Sequence, residues 1–433
     1  MTRLRVAAVV VVMGILAACG APEADIAPSG TPDPPTNPYE EQRRDGVEQL
    51  LDRWAAAVRS NDVEALKDVV DPDAPPQFLD EQIARAGNLA AVPLSDWGYE
   101  LVDDPETPVP SDVASPLDAA DVWAPSVVLR YAIDGADEVP TRRPVSLLVA
   151  ERGGEWRIVS DADIPGIDRH TWRGPWDFGP VTTTPVSSAG GTSVVVAHPE
   201  QSALAGALAD ELPAAVDAVT RFWGDGWRRT AVVFVTASSE EFAAAVGTSA
   251  AGRDVAAVSV SDTVSADRPV SGQRIVFGPA ASERLTEFTT RSVLRHELTH
   301  VAARSTTVDG SPMWMLEGFA DYSGYRDSAA PFDRLAPTLS RVVAAGGPPT
   351  VLPADEDFTA GGTRSTLAYE SAWSVSVFVA ERFGEDALRS LYEHMANGPK
   401  TESDVDRVLT DVLGTGGDDF VRQWGAWVAT QSR

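Results

Sequence analysis

The chain has very few of the residues on which several classes of protein depend. It contains one cysteine in 433 residues, which excludes an internal disulfide and a zinc cluster of cysteine thiolates. Only two lysines, Lys67 and Lys400, are among its 35 basic residues, against 64 acidic residues and a net charge of −29. Such a chain lacks the basic surface that nucleic acid phosphates or anionic lipids require, so we expect no nucleic acid partner. A hydrophobic content of 43% nevertheless indicates a globular protein, and the length favours two domains.

The N-terminus is typical of an exported protein. Arg3 and Arg5 precede an apolar run from Val6 to Leu16, and two alanines follow it. A basic start, an apolar stretch of about 7–15 residues and small residues at its end describe a secretory signal peptide. The run is shorter than the roughly 20 residues that a membrane span needs. We therefore expect residues 1–18 to be a signal peptide.

The only cysteine follows this segment directly. Leu16-Ala17-Ala18-Cys19 resembles a bacterial lipobox, which implies that Cys19 becomes the lipidated, palmitate-bearing first residue of the mature protein. Residues 19–40 are rich in proline and would form an extended linker. The prediction is an exported lipoprotein, anchored through Cys19 to the outer face of the bacterial cell membrane. The alternative is an ordinary cleavable signal beside a chance cysteine.

Residues 41–180 are predicted to form an α+β domain. Apolar residues at three- and four-residue steps indicate helix from Glu40 to about Ile83. Later runs have the alternation typical of strands, at residues 127–133, 145–150 and 156–159. A helix followed by a curved antiparallel sheet resembles the cystatin-like cone domains of exported bacterial proteins. This resemblance implies a binding module, although no group of polar residues marks a pocket.

Residues 190–433 carry the candidate chemistry. A helix predicted from about Ser282 to Arg304 contains the pattern His296-Glu297-Leu298-Thr299-His300. Two histidines four residues apart share a helix face, so both imidazoles can converge on one metal ion. Glu297 lies at the edge of that face, where it can reach a water bound to the ion. The alternative is a core helix with two histidines satisfied by hydrogen bonds.

A second helix follows and offers a third ligand. Ser311 is a favourable N-cap and Pro312 a favourable first helical residue, which predicts the start of this helix. Glu317 and Asp321 are four residues apart and share a face. Glu317 can complete a catalytic zinc site, and Asp321 can accept a hydrogen bond from the far nitrogen of a metal-bound histidine. The alternative is two exposed acids in an acidic protein.

Together, these two segments are similar to a known family. HELTH and the downstream WMLEGFADY resemble the gluzincin metallopeptidases, of the thermolysin-like, peptidase MA-like type, over roughly residues 193–427. The resemblance implies a metallopeptidase domain with a small mixed sheet and a mostly helical C-terminal part. It also implies one Zn2+ per chain and assigns the site residues: His296, His300 and Glu317 as zinc ligands, Glu297 as general base, and Asp321 as the residue that orients a ligand.

Two details of the resemblance leave questions open. Tyr369 falls where related enzymes often place a tyrosine that donates to the oxyanion, but Tyr322, Tyr325 and Tyr392 are competitors for that role. No Gly-x-Met-Glu-Asn element precedes the HExxH pattern, and in gluzincin aminopeptidases that element holds the free amine of the substrate. Its absence leaves endopeptidase activity or a specialised substrate open.

The leading prediction is an envelope-anchored zinc metallopeptidase. It would hydrolyse peptide bonds of a peptide or protein substrate with a zinc-activated water and Glu297 as general base. One alternative is a hydrolase of a specialised cell-wall amide, which would use the same residues. The other is an inactive peptidase fold that binds metal and acts as a scaffold or binding lipoprotein.

Overall fold

The computed structural model describes residues 37–247, 255–264 and 268–432. It confirms the predicted mixed α+β class with a helical C-terminal part. The predicted signal peptide, Cys19 and most of the predicted linker lie outside the described residues. Among the described helices, none combines the length and apolar character that crossing a membrane requires. The chain divides into two compact units, described here as residues 37–183 and 184–432.

The N-terminal unit places helices before two small antiparallel sheets. Its helices are α1 (Pro38–Ser60), α2 (Val63–Val69), α3 (Pro76–Leu89) and the short α4 (Ser111–Ala114). Its strands are β1 (Leu94–Leu101), β2 (Asp121–Trp123), β3 (Ser126–Ile133), β4 (Thr141–Ser146), β5 (Leu148–Arg152) and β6 (Glu155–Ser160). One sheet has the order β1-β3-β4 and the other β2-β5-β6.

The N-terminal unit differs from the sequence prediction in two places. The helical pattern from residue 40 to about 83 is three helices, because Asn61 adopts a left-handed conformation with φ of 52° and ends α1. Asp62 then caps α2 by accepting a hydrogen bond from the Ala65 amide. Strand β1 lies outside the three runs that the alternation predicts as strands.

Aromatic rings and a buried ion-pair network fill the interior of this unit. Trp54 of α1 stacks on Tyr99 of β1, with ring centroids 3.8 Å apart. Asp161 pairs with Arg85 and Arg173 at N–O distances of 3.1 and 2.8 Å. Burial would raise the pKa of Asp161, but the guanidiniums of Arg85 and Arg173 together outweigh it and lower that pKa to about 2. These side chains hold the helices against the sheet.

The C-terminal unit combines one mixed sheet with many helices. Its strands are β7 (Thr182–Ser188), β8 (Gly191–Ala197), β9 (Val232–Val235), β10 (Ala257–Val260) and β11 (Arg274–Phe277). The helices up to the site are α5 (Ser202–Trp223), α6 (Ser239–Val246), α7 (Ala281–Arg284), α8 (Glu287–Ala303) and α9 (Met313–Tyr325). The remaining helices are α10 (Phe332–Leu335), α11 (Pro337–Gly346), α12 (Asp355–Thr359), α13 (Gly362–Phe383), α14 (Glu385–Met395), α15 (Glu402–Leu413) and α16 (Gly417–Gln431).

The sheet supports the helix that carries the HExxH pattern. Its order is β10-β11-β9-β8-β7, with β8, β9 and β11 parallel and β10 antiparallel at one edge. Alternate strand residues such as Val233 and Ile275 pack against Leu294 and Leu298 of α8 in one apolar cluster. Burial of these side chains stabilises each by about 1.5–3 kcal/mol relative to exposure. The face of α8 opposite the two histidines is therefore fixed to the sheet.

Helix α9 begins differently from its predicted start. Its first residue is Met313, and the flanking residue is Pro312, whose side chain makes no capping hydrogen bond. The Ser311 hydroxyl instead donates to the Val308 carbonyl at 2.7 Å and accepts from the Gly398 amide. The carboxylate of Asp355 accepts the Met313 amide at 2.8 Å, so a distant residue supplies the cap.

Two glycines let α9 approach its neighbours closely. A methyl group on Gly318 would lie 2.3 Å from the carbonyl oxygen of Ala372 in α13. A methyl group on Gly324 would lie 2.7 Å from the carbonyl oxygen of Ser292 in α8. Backbone atoms cannot move aside as flexible side chains can. These contacts therefore set the distances from α9 to α13 and to α8.

We predict that Gly318→Ala lowers the free energy of unfolding by about 1–3 kcal/mol, since the added methyl forces α9 away from α13. Gly206→Ala in α5 is the matched control, because a methyl group there meets nothing within 4 Å. This control should leave stability unchanged or raise it by up to about 1 kcal/mol, as alanine replaces glycine in a helix. Denaturant unfolding measures both. Equal stability of the Gly318→Ala and native chains would contradict the close approach.

Candidate metal centre and active site

Helix α8 presents two imidazoles to one point. His296 and His300 lie one turn apart, and their Nε2 atoms are 3.1 Å from each other. Their side chains are only 4% and 3% exposed, so this pair lies in the protein interior. Leu294 and Leu298 fix the opposite face of α8 to the sheet, which sets the direction in which both rings point.

Helix α9 adds a carboxylate to the pair. Oε2 of Glu317 lies 3.3 Å from Nε2 of His296, and Oε1 lies 3.7 Å from Nε2 of His300. Glu317 is fully buried, so the alternative of an exposed acid does not hold for this residue. Within the described part of the chain, neither of its carboxylate oxygens has a hydrogen-bond partner. A hydrogen bond of 2.7 Å from Thr299 to Ser323 ties α8 to α9 beside the site.

Asp321 lies behind His296, one turn beyond Glu317 on α9. Its Oδ1 is 2.9 Å from Nδ1 of His296, and its side chain is 20% exposed. A proton on Nδ1 shared with this carboxylate leaves Nε2 of His296 as the lone-pair donor toward the site. The structure therefore places Asp321 where it can set the tautomer and the ring orientation of His296.

The charges of this group stabilise one another. Burial is the largest influence on the pKa of His296 and lowers it, but the carboxylates of Asp321, Glu317 and Glu297 together outweigh burial and hold the pKa well above its usual value. Burial likewise would raise the pKa of Glu317, yet the imidazoles, with His300 first, lower it to about 2. Each of these two charged forms is thus stabilised by its buried neighbours.

Zinc fits this arrangement. Two ligand atoms at 2.0–2.1 Å from a tetrahedral zinc lie about 3.3 Å apart. The two Nε2 atoms are 3.1 Å apart, and the Glu317 oxygen nearest each of them lies 3.3 Å from that of His296 and 3.7 Å from that of His300. Two imidazole nitrogens and one carboxylate oxygen are a ligand set of catalytic zinc sites, which keep a fourth position for water or substrate. The Glu317 oxygens accept no hydrogen bond among the described residues and face the two imidazoles, and a cation held by all three side chains would compensate the buried carboxylate.

Glu297 adjoins this group and points toward the sheet edge. It is fully buried, and burial raises the pKa of its carboxyl. Its Oε2 accepts a hydrogen bond of 2.6 Å from the hydroxyl of Ser259 on β10. Its Oε1 is buried and has no partner among the described residues. A carboxylate with one oxygen anchored and one oxygen available suits a general base.

The four tyrosines that are candidates for the oxyanion donor differ in what their side chains contact. Tyr322 donates to Glu385 of α14 at 2.8 Å, and the Tyr392 hydroxyl lies 2.8 Å from that of Thr307. Tyr325 stacks on Phe288, with ring centroids 6.1 Å apart. Tyr369 is buried in α13 and packs edge-on to Phe358 at 5.0 Å. Its role as oxyanion donor stays a prediction.

Sequence reasoning missed Ser259 and the strand that carries it. Strand β10 has four residues, and its signal is a short alternation that many loops share. The remaining three histidines lie outside the metal group: His170 is exposed beside Asp163, His198 is buried against Glu241, and His394 is exposed. Among the described residues, His296, His300 and Glu317 form the one group able to hold a metal ion in this way.

Comparison with known proteins finds distant structural likeness. No protein-family model matches the chain, and no curated protein matches it. An M1 zinc metallopeptidase from Deinococcus radiodurans is 14% identical with a TM-score of 0.36, over 71% of this chain and 62% of that one. A mutant two-domain M1 zinc metallopeptidase bound to L-arginine is 13% identical with a TM-score of 0.35, over 71% and 61%. A mutant of the Deinococcus radiodurans peptidase bound to a Tyr-Ser-Ala substrate is 13% identical with a TM-score of 0.32, over 71% and 61%.

The chain thus spans about three fifths of the length of these structures, which are zinc metallopeptidases. The chemistry of the site is the basis of the function proposed below.

Proposed function

We propose that this chain is a zinc-dependent hydrolase of peptide bonds. One observation carries the proposal: the buried Glu297, with one oxygen partnerless, adjoins the buried group of His296, His300 and Glu317. A site that only stored metal or stabilised the fold would have no use for a second buried carboxylate that keeps one oxygen without a hydrogen bond. That arrangement also argues against an inactive scaffold.

The chemistry follows from these residues. Zinc held by His296, His300 and Glu317 would supply a Lewis acid that lowers the pKa of water from about 15.7 toward about 7 and polarises a carbonyl. Glu297 would take a proton from the water as its oxygen bonds to the carbonyl carbon, and would deliver that proton to the amine nitrogen as the C–N bond breaks. Burial strengthens its basicity, because it raises the pKa of the carboxyl above the ordinary value. Tyr369 is retained in this proposal as the donor to the oxyanion.

Strand β10 supports a peptide as substrate. It lies at one edge of the sheet and pairs with β11 on one side only, as far as the described residues show. An extended peptide can add to such an edge through main-chain hydrogen bonds. Because Ser259 of the same strand contacts Glu297, a peptide on this edge would lie beside the general base. This geometry favours an internal peptide bond as the point of cleavage. Hydrolysis of a specialised cell-wall amide is the alternative that the test below distinguishes.

We also propose a protein family, a membrane anchor and a domain type for this chain. The gluzincin assignment is supported by the spacing of the HExxH pattern and Glu317. The lipobox-like sequence ending at Cys19 supports a lipid anchor on the outer face of the cell membrane. The cystatin-like character of the N-terminal unit is supported by a long first helix that packs on an antiparallel sheet.

We predict that the native chain binds one zinc per molecule and cleaves a broad peptide library, whereas Glu297→Gln binds zinc but loses cleavage by at least about 100-fold. Glu287→Gln on the same helix is the control, because Glu287 is 92% exposed and pairs with Arg291. Metal analysis and mass spectrometry of the products measure both properties. Equal cleavage by native and Glu297→Gln chains would overturn the proposal, and zinc binding without cleavage would favour a specialised amide.

We also predict that Asp321→Asn weakens zinc binding by about 10- to 100-fold, since the neutral amide no longer stabilises the proton on Nδ1 of His296. Asp327→Asn is the matched control, because Asp327 is 53% exposed and pairs with Arg295 away from the ligands. Competition with a chelator of known affinity gives the zinc dissociation constants. Identical constants for the native and Asp321→Asn chains would show that Asp321 does not support the site.

A further inference from the structure

The hydroxyl of Ser259 contacts Glu297 at two oxygen atoms. Its hydroxyl lies 2.6 Å from Oε2 of Glu297 and 3.0 Å from the main-chain carbonyl oxygen of the same residue. A serine hydroxyl has one proton to donate. The shorter contact falls in the range of a hydrogen bond to an ionised oxygen, about 2.5–2.7 Å, so the carboxylate is the favoured acceptor.

The strand beneath Ser259 is firmly held. Within β10, Ser259 pairs in register with Ile275 of β11. Two residues further on, the hydroxyl of Ser261 accepts a hydrogen bond of 2.6 Å from Nε of the buried Arg304, which directly follows α8. Beside the strand, Gln273 donates to the Val301 carbonyl of α8 at 2.9 Å. The donor of Ser259 is thus fixed relative to the helix that carries Glu297.

We infer that Ser259 is a positioning residue for the general base, and this inference rests on the proposed hydrolase function. Its hydroxyl anchors Oε2 of Glu297 and leaves Oε1 as the oxygen that takes the proton. Without this anchor, no hydrogen bond among the described residues would fix the carboxylate, since Oε1 has no partner there and the terminal torsion of glutamate is broad. A base held in one orientation spends more of its time in the productive geometry.

Three variants test this inference in the zinc-loaded chain. Ser259→Ala removes the donor, and it should lower kcat by about 10- to 100-fold with KM and zinc affinity within about threefold of native. Ser259→Thr keeps a hydroxyl on a strand that accommodates β-branched residues, so it should restore kcat to within about threefold of native. Ser261→Ala is the control one residue beyond the end of this strand, because the Ser261 hydroxyl accepts a hydrogen bond from Arg304. It should lower the melting temperature and leave kcat unchanged.

A crystal structure of zinc-loaded Ser259→Ala supplies a readout that needs no activity. The inference predicts that the Glu297 carboxylate turns away from its native orientation or occupies two orientations, while the zinc ligands stay in place. An unchanged Glu297 orientation would overturn the inference, as would an unchanged kcat. A fall in zinc content with unchanged kcat per bound zinc would also overturn it, because Ser259 would then serve only stability.

The two readouts separate this inference from the proposed function. If the native chain binds zinc and cleaves no peptide, the proposed function fails and the crystal structure still decides the role of Ser259. If the native chain cleaves peptides and Ser259→Ala cleaves equally well, the proposed function stands and the inference fails.

Discussion

The burial of the Glu317 carboxylate against two imidazoles is the constraint on which the rest of the site depends. Glu317 is fully buried, and within the described residues neither of its oxygens receives a hydrogen bond that meets ordinary geometry. Burying a carboxylate costs several kcal/mol unless an opposite charge compensates it, and that is a large part of the stability of an ordinary domain. Its oxygens face the Nε2 atoms of His296 and His300, at 3.3 and 3.7 Å. A cation bound by all three side chains would supply the compensating charge and would account for their convergence.

The fold is arranged to hold these ligands at fixed distances. The apolar face of α8 packs on the sheet, and close backbone approaches at Gly318 and Gly324 bring α9 against α13 and α8. The helices bring the candidate metal ligands together, and Asp321 contacts His296 from behind. Glu297, the proposed general base, is held from another direction by Ser259 on the edge strand. The candidate ligands and Glu297 therefore depend on different contacts, so each can be altered separately.

Local patterns were sufficient to predict the metal group, because its residues follow helical spacing. His296 and His300 share a face of one helix, as do Glu317 and Asp321 on the next. The periodicity of an α-helix predicts such shared faces without any knowledge of tertiary structure. Contacts between distant segments could not be predicted in this way. Ser259 lies 38 residues from Glu297 on a strand of four residues, and Asp355 caps α9 from 42 residues away. The N-terminus of α9 shows why. Ser311 is a favourable capping residue in the sequence, but its hydroxyl is hydrogen-bonded to Val308 and Gly398 instead.

The most direct test of the account is anomalous diffraction at the zinc absorption edge from crystals of the native chain grown with equimolar zinc. The account predicts one anomalous peak per chain, about 2.0–2.2 Å from Nε2 of His296, Nε2 of His300 and a carboxylate oxygen of Glu317. No peak at that position, or a peak at which Glu317 is not a ligand, would contradict the claim that these three side chains form a zinc site.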